Sequence, residues 1–286
     1  MTPQTLSCNI PASETIPAHS LTYYQWGNAT ADTVICVHGL TRNGRDFDML
    51  AQTLAPRFHV LCPDMPGRGK SGWLTPQAYQ YPTYVQDIFS FLAQHNINSC
   101  HWVGTSMGGI LGLMMAQLKP GLIKSLVLND IGCLIPAAGL KRIVAYASSN
   151  TYFSSKQAAE AQLRINCASF GIRDEAHWNH LFTHSIHEQP DGTYHLAYDP
   201  AILAGLVTNV EIQDVNLWPF WPSAQAIPTL LIRGKNSDLL TAETALQMQQ
   251  QHPNLELLEI AECGHAPTLM ADEQTHYIEN WLRKRS

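Results

Sequence analysis

The sequence predicts an α/β fold in which a mostly parallel sheet is flanked by helices and interrupted once by a mainly helical insertion. Three observations carry this reading. Short apolar runs at residues 33–37, 59–62, 125–128 and 228–232 alternate with helical stretches. Several of those runs are apolar on both faces, as strands of a parallel sheet covered by helices must be. The alternation stops after Asp130 and resumes at Pro228, an interval far beyond ordinary loop length that calls for a substructure of its own.

The elements follow in order. The first twenty residues are turn-rich and form an edge strand or an arm. Residues 21–26 alternate as a strand, and 33–37 is a continuous apolar strand ending at His38-Gly39. A helix over 46–54 leads to the strand at 59–62. After a turn-rich loop, 84–94 reads as a helix, Trp102-Val103 enter a strand, and 106–118 reads as a buried helix. Residues 125–128 make the next strand. Within the insertion, 157–168 and 175–187 read as helices, with no convincing apolar strand. The strand at 228–232, a helix over 242–251, a strand over 255–260 and a helix over 271–283 complete the chain. This divides it into a core of residues 1–134 and 223–286 and a helical cap of residues 135–222.

Composition narrows the function. Hydrophobic residues make up 45% of the 286, charged residues 14%, and the formal net charge is −6, so a nucleic-acid partner has no electrostatic footprint. No apolar run is long enough to span a bilayer, and the start lacks the basic and apolar pattern of a secretory signal. Seven cysteines, an odd number with no C-x-x-C pair, include Cys36 and Cys62 inside apolar strands. They read as buried hydrophobes, and a reducing cytoplasm is the expected setting.

The strongest local signal is Gly104-Thr105-Ser106-Met107-Gly108-Gly109, a G-x-S-x-G run between a strand and an apolar helix. Flanking glycines permit a sharp strand-to-helix turn that exposes the serine hydroxyl, and the helix start adds backbone donors. A serine hydroxyl needs a base. His265, in Glu262-Cys263-Gly264-His265-Ala266-Pro267 between the last strand and last helix, occupies a turn that reaches the same sheet edge. An acid must accept the hydrogen bond of that imidazole. Asp238, after the strand at 228–232, is the expected acid, with Asp130 at the end of 125–128 as its competitor. Backbone N–H groups of Met107 and, in Val37-His38-Gly39-Leu40, of Leu40 are the expected donors to an oxyanion.

These motifs resemble the α/β-hydrolase superfamily. The order Ser106, Asp238, His265 is the order in which that family carries its triad, His38-Gly39 resembles its oxyanion loop, and Asp64-Met65-Pro66-Gly67-Arg68-Gly69-Lys70-Ser71 resembles the turn after its next strand. The resemblance runs from about Leu21 to the C-terminus. Serine at position 106 disfavours the aspartate-nucleophile dehalogenases and epoxide hydrolases. Carbon–carbon hydrolases usually carry tryptophan after the catalytic histidine, where Ala266 stands here. The expected activity is that of a capped serine esterase without metal or cofactor, cleaving small-molecule esters of small to medium acyl groups through an acyl-enzyme on Ser106. Lactonase, thioesterase or carbon–carbon hydrolase chemistry on the same triad is the alternative within enzymes; a non-catalytic small-molecule receptor is the alternative outside them. The acyl pocket is expected where the cap leaves and rejoins the core, at Leu134, Ile135, Trp218, Phe220 and Trp221, faced by Trp73.

Two motifs compete. Gly67-Arg68-Gly69-Lys70-Ser71 imitates a phosphate-binding loop, but Asp64 stands where its first glycine belongs. His177, His180, His184 and His187 share one helical face, yet lack the glutamate or cysteine partners of a zinc site and read as a solvated helix face.

Overall fold

A computed structural model describes residues 2–148, 151–203 and 211–286. The chain opens with strands β1 (Gln4–Ile10), β2 (His19–Trp26) and β3 (Thr33–Val37), then helix α1 (Asp48–Leu54) and strand β4 (His59–Pro63). Helix α2 (Tyr81–Gln94), strand β5 (Cys100–Thr105), helix α3 (Met107–Leu118) and strand β6 (Ile123–Asn129) follow. Beyond the insertion come β12 (Thr229–Gly234), α8 (Ala242–Gln251), β13 (Leu255–Ile260) and α9 (Asp272–Arg283). These strands form one eight-stranded sheet in the order β1-β2-β4-β3-β5-β6-β12-β13. β1 pairs antiparallel with β2 and β2 with β4; every other pairing is parallel.

The apolar runs decide this arrangement. β4 and β12 are buried along their whole length, and β3, β5 and β6 are nearly so. Helices on both faces cover them, and two apolar clusters result. Leu111, Leu113 and Trp102 belong to one, and Val34, Val60, Val103 and Trp281 to the other. Burying each such side chain contributes roughly 1.5–3 kcal/mol. α3 is apolar around most of its circumference because it is enclosed: Ile110, Leu111, Leu113 and Met115 are all buried. Among the described residues no helix is long and apolar enough to cross a membrane.

The segment between β6 and β12 contains β7 (Leu134–Ile135), α4 (Ala137–Ala147), β8 (Tyr152–Phe153), α5 (Lys156–Asn166), α6 (Glu175–Ser185), β9 (Ile186–Glu188), β10 (Tyr194–Leu196), β11 (Val215–Asn216) and α7 (Trp221–Ala224). It is not helical throughout. β8, β10 and β9 form a small antiparallel sheet, and β7 pairs with β11 where the segment leaves and returns. Strands of two or three residues are too short to show a two-residue period, which is why the sequence reads them as loop. The helix expected over 175–187 accordingly ends at Ser185, and His187 lies on β9 opposite His195.

Candidate active site

The site forms where five parallel strand ends meet. The turn after β5 carries Ser106 with φ 52° and ψ −114°, a left-handed backbone costing about 1–3 kcal/mol in a non-glycine residue. Close packing holds it there. A Cβ on Gly108 would lie 1.9 Å from the Val37 carbonyl oxygen, and one on Gly104 would lie 2.3 Å from the Gly108 oxygen. Trp102 Nε1 donates to that same Gly108 oxygen at 2.9 Å. Thus α3 starts against the end of β3, with Ser106 between them.

His265, on the loop from β13 to α9, presents Nε2 to Ser106 Oγ at 2.9 Å and Nδ1 to Asp130 Oδ2 at 2.8 Å. Serine, histidine and aspartate therefore form one hydrogen-bonded chain, with all three side chains buried. Asp130 follows β6 directly, at φ 55°, and is fully enclosed. Its Oδ1 accepts from Gly234 N–H at 2.7 Å and its Oδ2 from Ser237 Oγ–H at 2.5 Å. The carboxylate is thus held by three donors, one from the last residue of β12 and one from the turn after it.

That turn corrects the expected acid. Asp238 does not meet His265. Ser237 N–H closes the turn onto the Gly234 carbonyl, and the Ser237 hydroxyl points inward to Asp130. The next residue swings outward, where Asp238 accepts from Arg142 Nε at 2.5 Å and Nη2 at 2.7 Å on α4. Arg142 holds the Asp238 carboxyl below the usual carboxylate range. The competitor at the end of β6 occupies the position instead, because β6 lies beside β5 in the sheet.

Leu40 lines the same cavity as Ser106, and Met107 follows the serine as the first residue of α3. Among the described residues neither backbone N–H has a hydrogen-bond partner. The loop carrying Leu40 is pinned from beneath. His38 is wholly buried; its Nδ1 faces the Gly39 oxygen at 2.7 Å and its Nε2 accepts from Met65 N–H at 2.9 Å. Burial pushes its pKa down to about 3, so it stays neutral. Buried Arg68 donates through Nε to the Leu40 oxygen at 2.8 Å and through Nη1 to the Pro66 oxygen and Tyr84 hydroxyl, both at 2.7 Å. The phosphate-loop look-alike is thereby accounted for: the Asp64 carboxylate fills its turn, accepting Lys70 N–H at 2.8 Å and Gly44 N–H at 2.7 Å.

Ser106 and His265 open into a cavity with about 600 Å³ of empty space, part of it open to solvent. The inserted segment contributes Ile143 and Tyr146 from α4, Phe170, and Leu181 from α6 to its wall. None of the six residues expected to form the acyl pocket lines it. Trp73 is an exposed surface side chain. Leu134 and Ile135 pair with Asn216 and Val215 in the short ladder at the base of the segment. Trp218 and Phe220 pack against the core cluster, and Trp221 is buried in it, 5.3 Å from the His252 ring. The junction aromatics fasten the segment rather than roof the serine. Sequence reasoning missed Ile143, Tyr146, Phe170 and Leu181 because a site-facing apolar side chain has the same pattern as a core-facing one. It also passed over Arg42, three residues beyond the His38-Gly39 signal.

On the helix with several histidines, His180 and His184 approach Asp48, the three offering ligand atoms within 4.8 Å of one another. Arg45 already occupies that carboxylate, donating to both oxygens at 2.8–2.9 Å through Nε. A guanidinium in the cluster opposes a second cation.

A model of the α/β-hydrolase fold matches residues 32–147. The 3-hydroxybutyrate-oligomer hydrolase of Cupriavidus necator is 35% identical over 265 residues, covering 90% of each chain. A solved Rickettsia typhi structure superposes with TM-score 0.92 at 36% identity, over 99% of this chain and 100% of that one. An α/β hydrolase from Novosphingobium aromaticivorans gives TM-score 0.85 at 32% identity, over 99% of both. With the mostly parallel eight-stranded sheet and the hydrolase relatives, these likenesses carry one conclusion: the chain belongs to the α/β-hydrolase family.

Proposed function

We propose that the protein is a serine esterase that cleaves short esters of hydroxy acids through an acyl-enzyme on Ser106. The observation that carries this is the chain Ser106 Oγ–His265 Nε2–Asp130 Oδ2, with both contacts under 3 Å. His265 Nε2 takes the Ser106 proton as Oγ attacks the ester carbonyl. The Leu40 and Met107 N–H groups receive the developing oxyanion, an interaction typically worth about 3 kcal/mol per donor. The tetrahedral adduct collapses, His265 returns the proton to the departing alkoxide, and the acyl group stays on Ser106. Water then gives its proton to His265, attacks the acyl carbonyl and releases the acid. Asp130 keeps Nδ1 protonated and stabilises the imidazolium. Residues 135–222 serve as a cap, with Ile143, Tyr146, Phe170 and Leu181 confining small to medium acyl groups.

The hydroxy-acid class is supported by the full-length likeness to a relative named for 3-hydroxybutyrate oligomers. The confined cavity fits short chains better than long lipids. The test is turnover of short 3-hydroxyacyl esters, nitrophenyl butyrate and the thioester and lactone counterparts by the pure protein and by Ser106→Ala. Ester turnover that vanishes in the folded Ser106→Ala protein, with one organophosphonate added at Ser106, is the expected result. Turnover retained in the variant, or label at another residue, removes the proposal.

A further inference from the structure

Beside the serine cavity lies a second, narrower pocket, and the two share Thr41, Arg42, Tyr146 and Phe170 in their walls. Arg42 is the charged member of that shared wall. It is only 7% exposed, and it sits beside the nucleophile: one point, where a Cβ on Gly39 would stand, lies 3.6 Å from Ser106 Cβ and 4.0 Å from Arg42 Cγ. Asp46 takes one edge of the guanidinium, accepting from Nε at 2.9 Å and Nη2 at 2.6 Å. Nη1 takes part in neither bond, and it is not one of the sealed polar atoms without a partner among the described residues. Burial opposes the charge, but Asp46 outweighs it and keeps Arg42 protonated.

A second observation points the same way. Ser185, 3% exposed, lines the second pocket, and its buried hydroxyl lacks a partner among the described residues. A guanidinium edge that Asp46 does not engage and a buried hydroxyl without a partner, both lining the second pocket, match an anionic oxygen ligand. The ligand also has to connect to an ester at Ser106, across the shared wall.

Resting on the esterase reading above, we propose that Arg42 binds a free carboxylate on the substrate, so that the enzyme recognises the acid end of a short oligoester. In a linear ester of two 3-hydroxybutyrates the carboxylate sits four bonds from the scissile carbonyl, on the departing half. With the ester at Ser106, that carboxylate faces the Nη1 edge, in a charge-assisted hydrogen bond. Because Asp46 balances the charge of Arg42, recognition depends on this hydrogen bond rather than on long-range attraction. It orients the ester and sets the preference for chain ends over interior bonds.

The test compares the free-acid dimer of 3-hydroxybutyrate with its methyl ester, in which a methyl group replaces the charge, following cleavage of the internal ester bond in both. In the native protein kcat/KM for the free acid exceeds that for the methyl ester about tenfold or more, mostly through KM. Arg42→Gln brings the ratio close to one. The double variant Arg42→Gln with Asp46→Asn does the same without leaving Asp46 uncompensated, which separates the effect from misfolding. In parallel, calorimetry on Ser106→Ala shows the free-acid dimer binding at least tenfold tighter than its methyl ester, a difference lost when Arg42→Gln is added. A native ratio near one, or a ratio unchanged by both variants, overturns the carboxylate site while methyl-ester turnover leaves the esterase reading standing. If neither ester is cleaved the esterase reading fails, and the calorimetric arm alone then upholds or overturns the site.

Discussion

Exchanging either of two carboxylates for its amide separates the structure from the alternative that the chain order suggests. Asp130→Asn keeps the size and shape of a side chain with no exposure to solvent, but leaves it one acceptor oxygen and one amide donor. Gly234 N–H holds Oδ1, the oxygen the amide keeps, whereas Oδ2, shared by Ser237 Oγ–H and His265 Nδ1, becomes the NH₂. The amide N–H₂ is then turned toward His265 Nδ1, which must become an acceptor. Nε2 accordingly carries the proton and points it at Ser106, so it can no longer remove one. Loss of the correct tautomer typically lowers kcat by about 10⁴, or roughly 5.4 kcal/mol of barrier. The stability change is smaller, about 1–3 kcal/mol, because one donor loses its acceptor. Asp238→Asn removes a pair whose partners are 36% and 41% exposed, worth about 1 kcal/mol at most, and turnover stays within about threefold. Initial rates on nitrophenyl butyrate, beside thermal melts of both variants, decide the matter. The assignment of Asp130 fails if the folded Asp130→Asn protein keeps a tenth of native kcat, or if Asp238→Asn proves the more damaging.

Two further outcomes follow from packing and burial. Gly108→Ala places a Cβ 1.9 Å from the Val37 carbonyl oxygen, backbone that cannot give way cheaply. We expect a loss of at least about 2 kcal/mol and of turnover together, and a native melting temperature in this variant would contradict the close approach of α3 to β3. Burial holds His38 at about 3 and His101 at about 4, both below histidine's ordinary value. The unfolded chain binds protons on both below about pH 6.5 and the folded chain does not, so stability falls with acid at about 1.4 kcal/mol per pH unit for each. Melting midpoints from pH 7 to 4.5 should drop, with a shallower slope in His101→Gln; an equal slope in that variant would refute the assignment of a proton to His101 on unfolding.

The sequence by itself determined the sheet-forming segments, because a parallel strand buried on both faces has to be apolar along its length, as residues 33–37 and 59–62 are. It also determined the serine turn, since only glycine at 104 and 108 tolerates the contacts found there, and it located His265 at the sheet edge. Asp130 was legible as a carboxylate at a strand end, yet nothing in the order of residues ranks it above Asp238. Tertiary structure made that choice. β6 lies next to β5, while the turn after β12 spends Gly234 and Ser237 as donors to Asp130 and sends Asp238 out to Arg142. The cavity wall was decided at the same level. Tyr146, Phe170 and Leu181 line the cavity with Arg42 from separate elements of the inserted segment, and an apolar side chain carries no mark of whether it will face a core or a substrate. Junction tryptophans such as Trp221 were conspicuous in the sequence and became packing, because a large apolar ring is stabilised wherever it is enclosed. Local chemistry therefore specifies which backbone each segment adopts, and only the juxtaposition of distant segments specifies which polar groups satisfy one another.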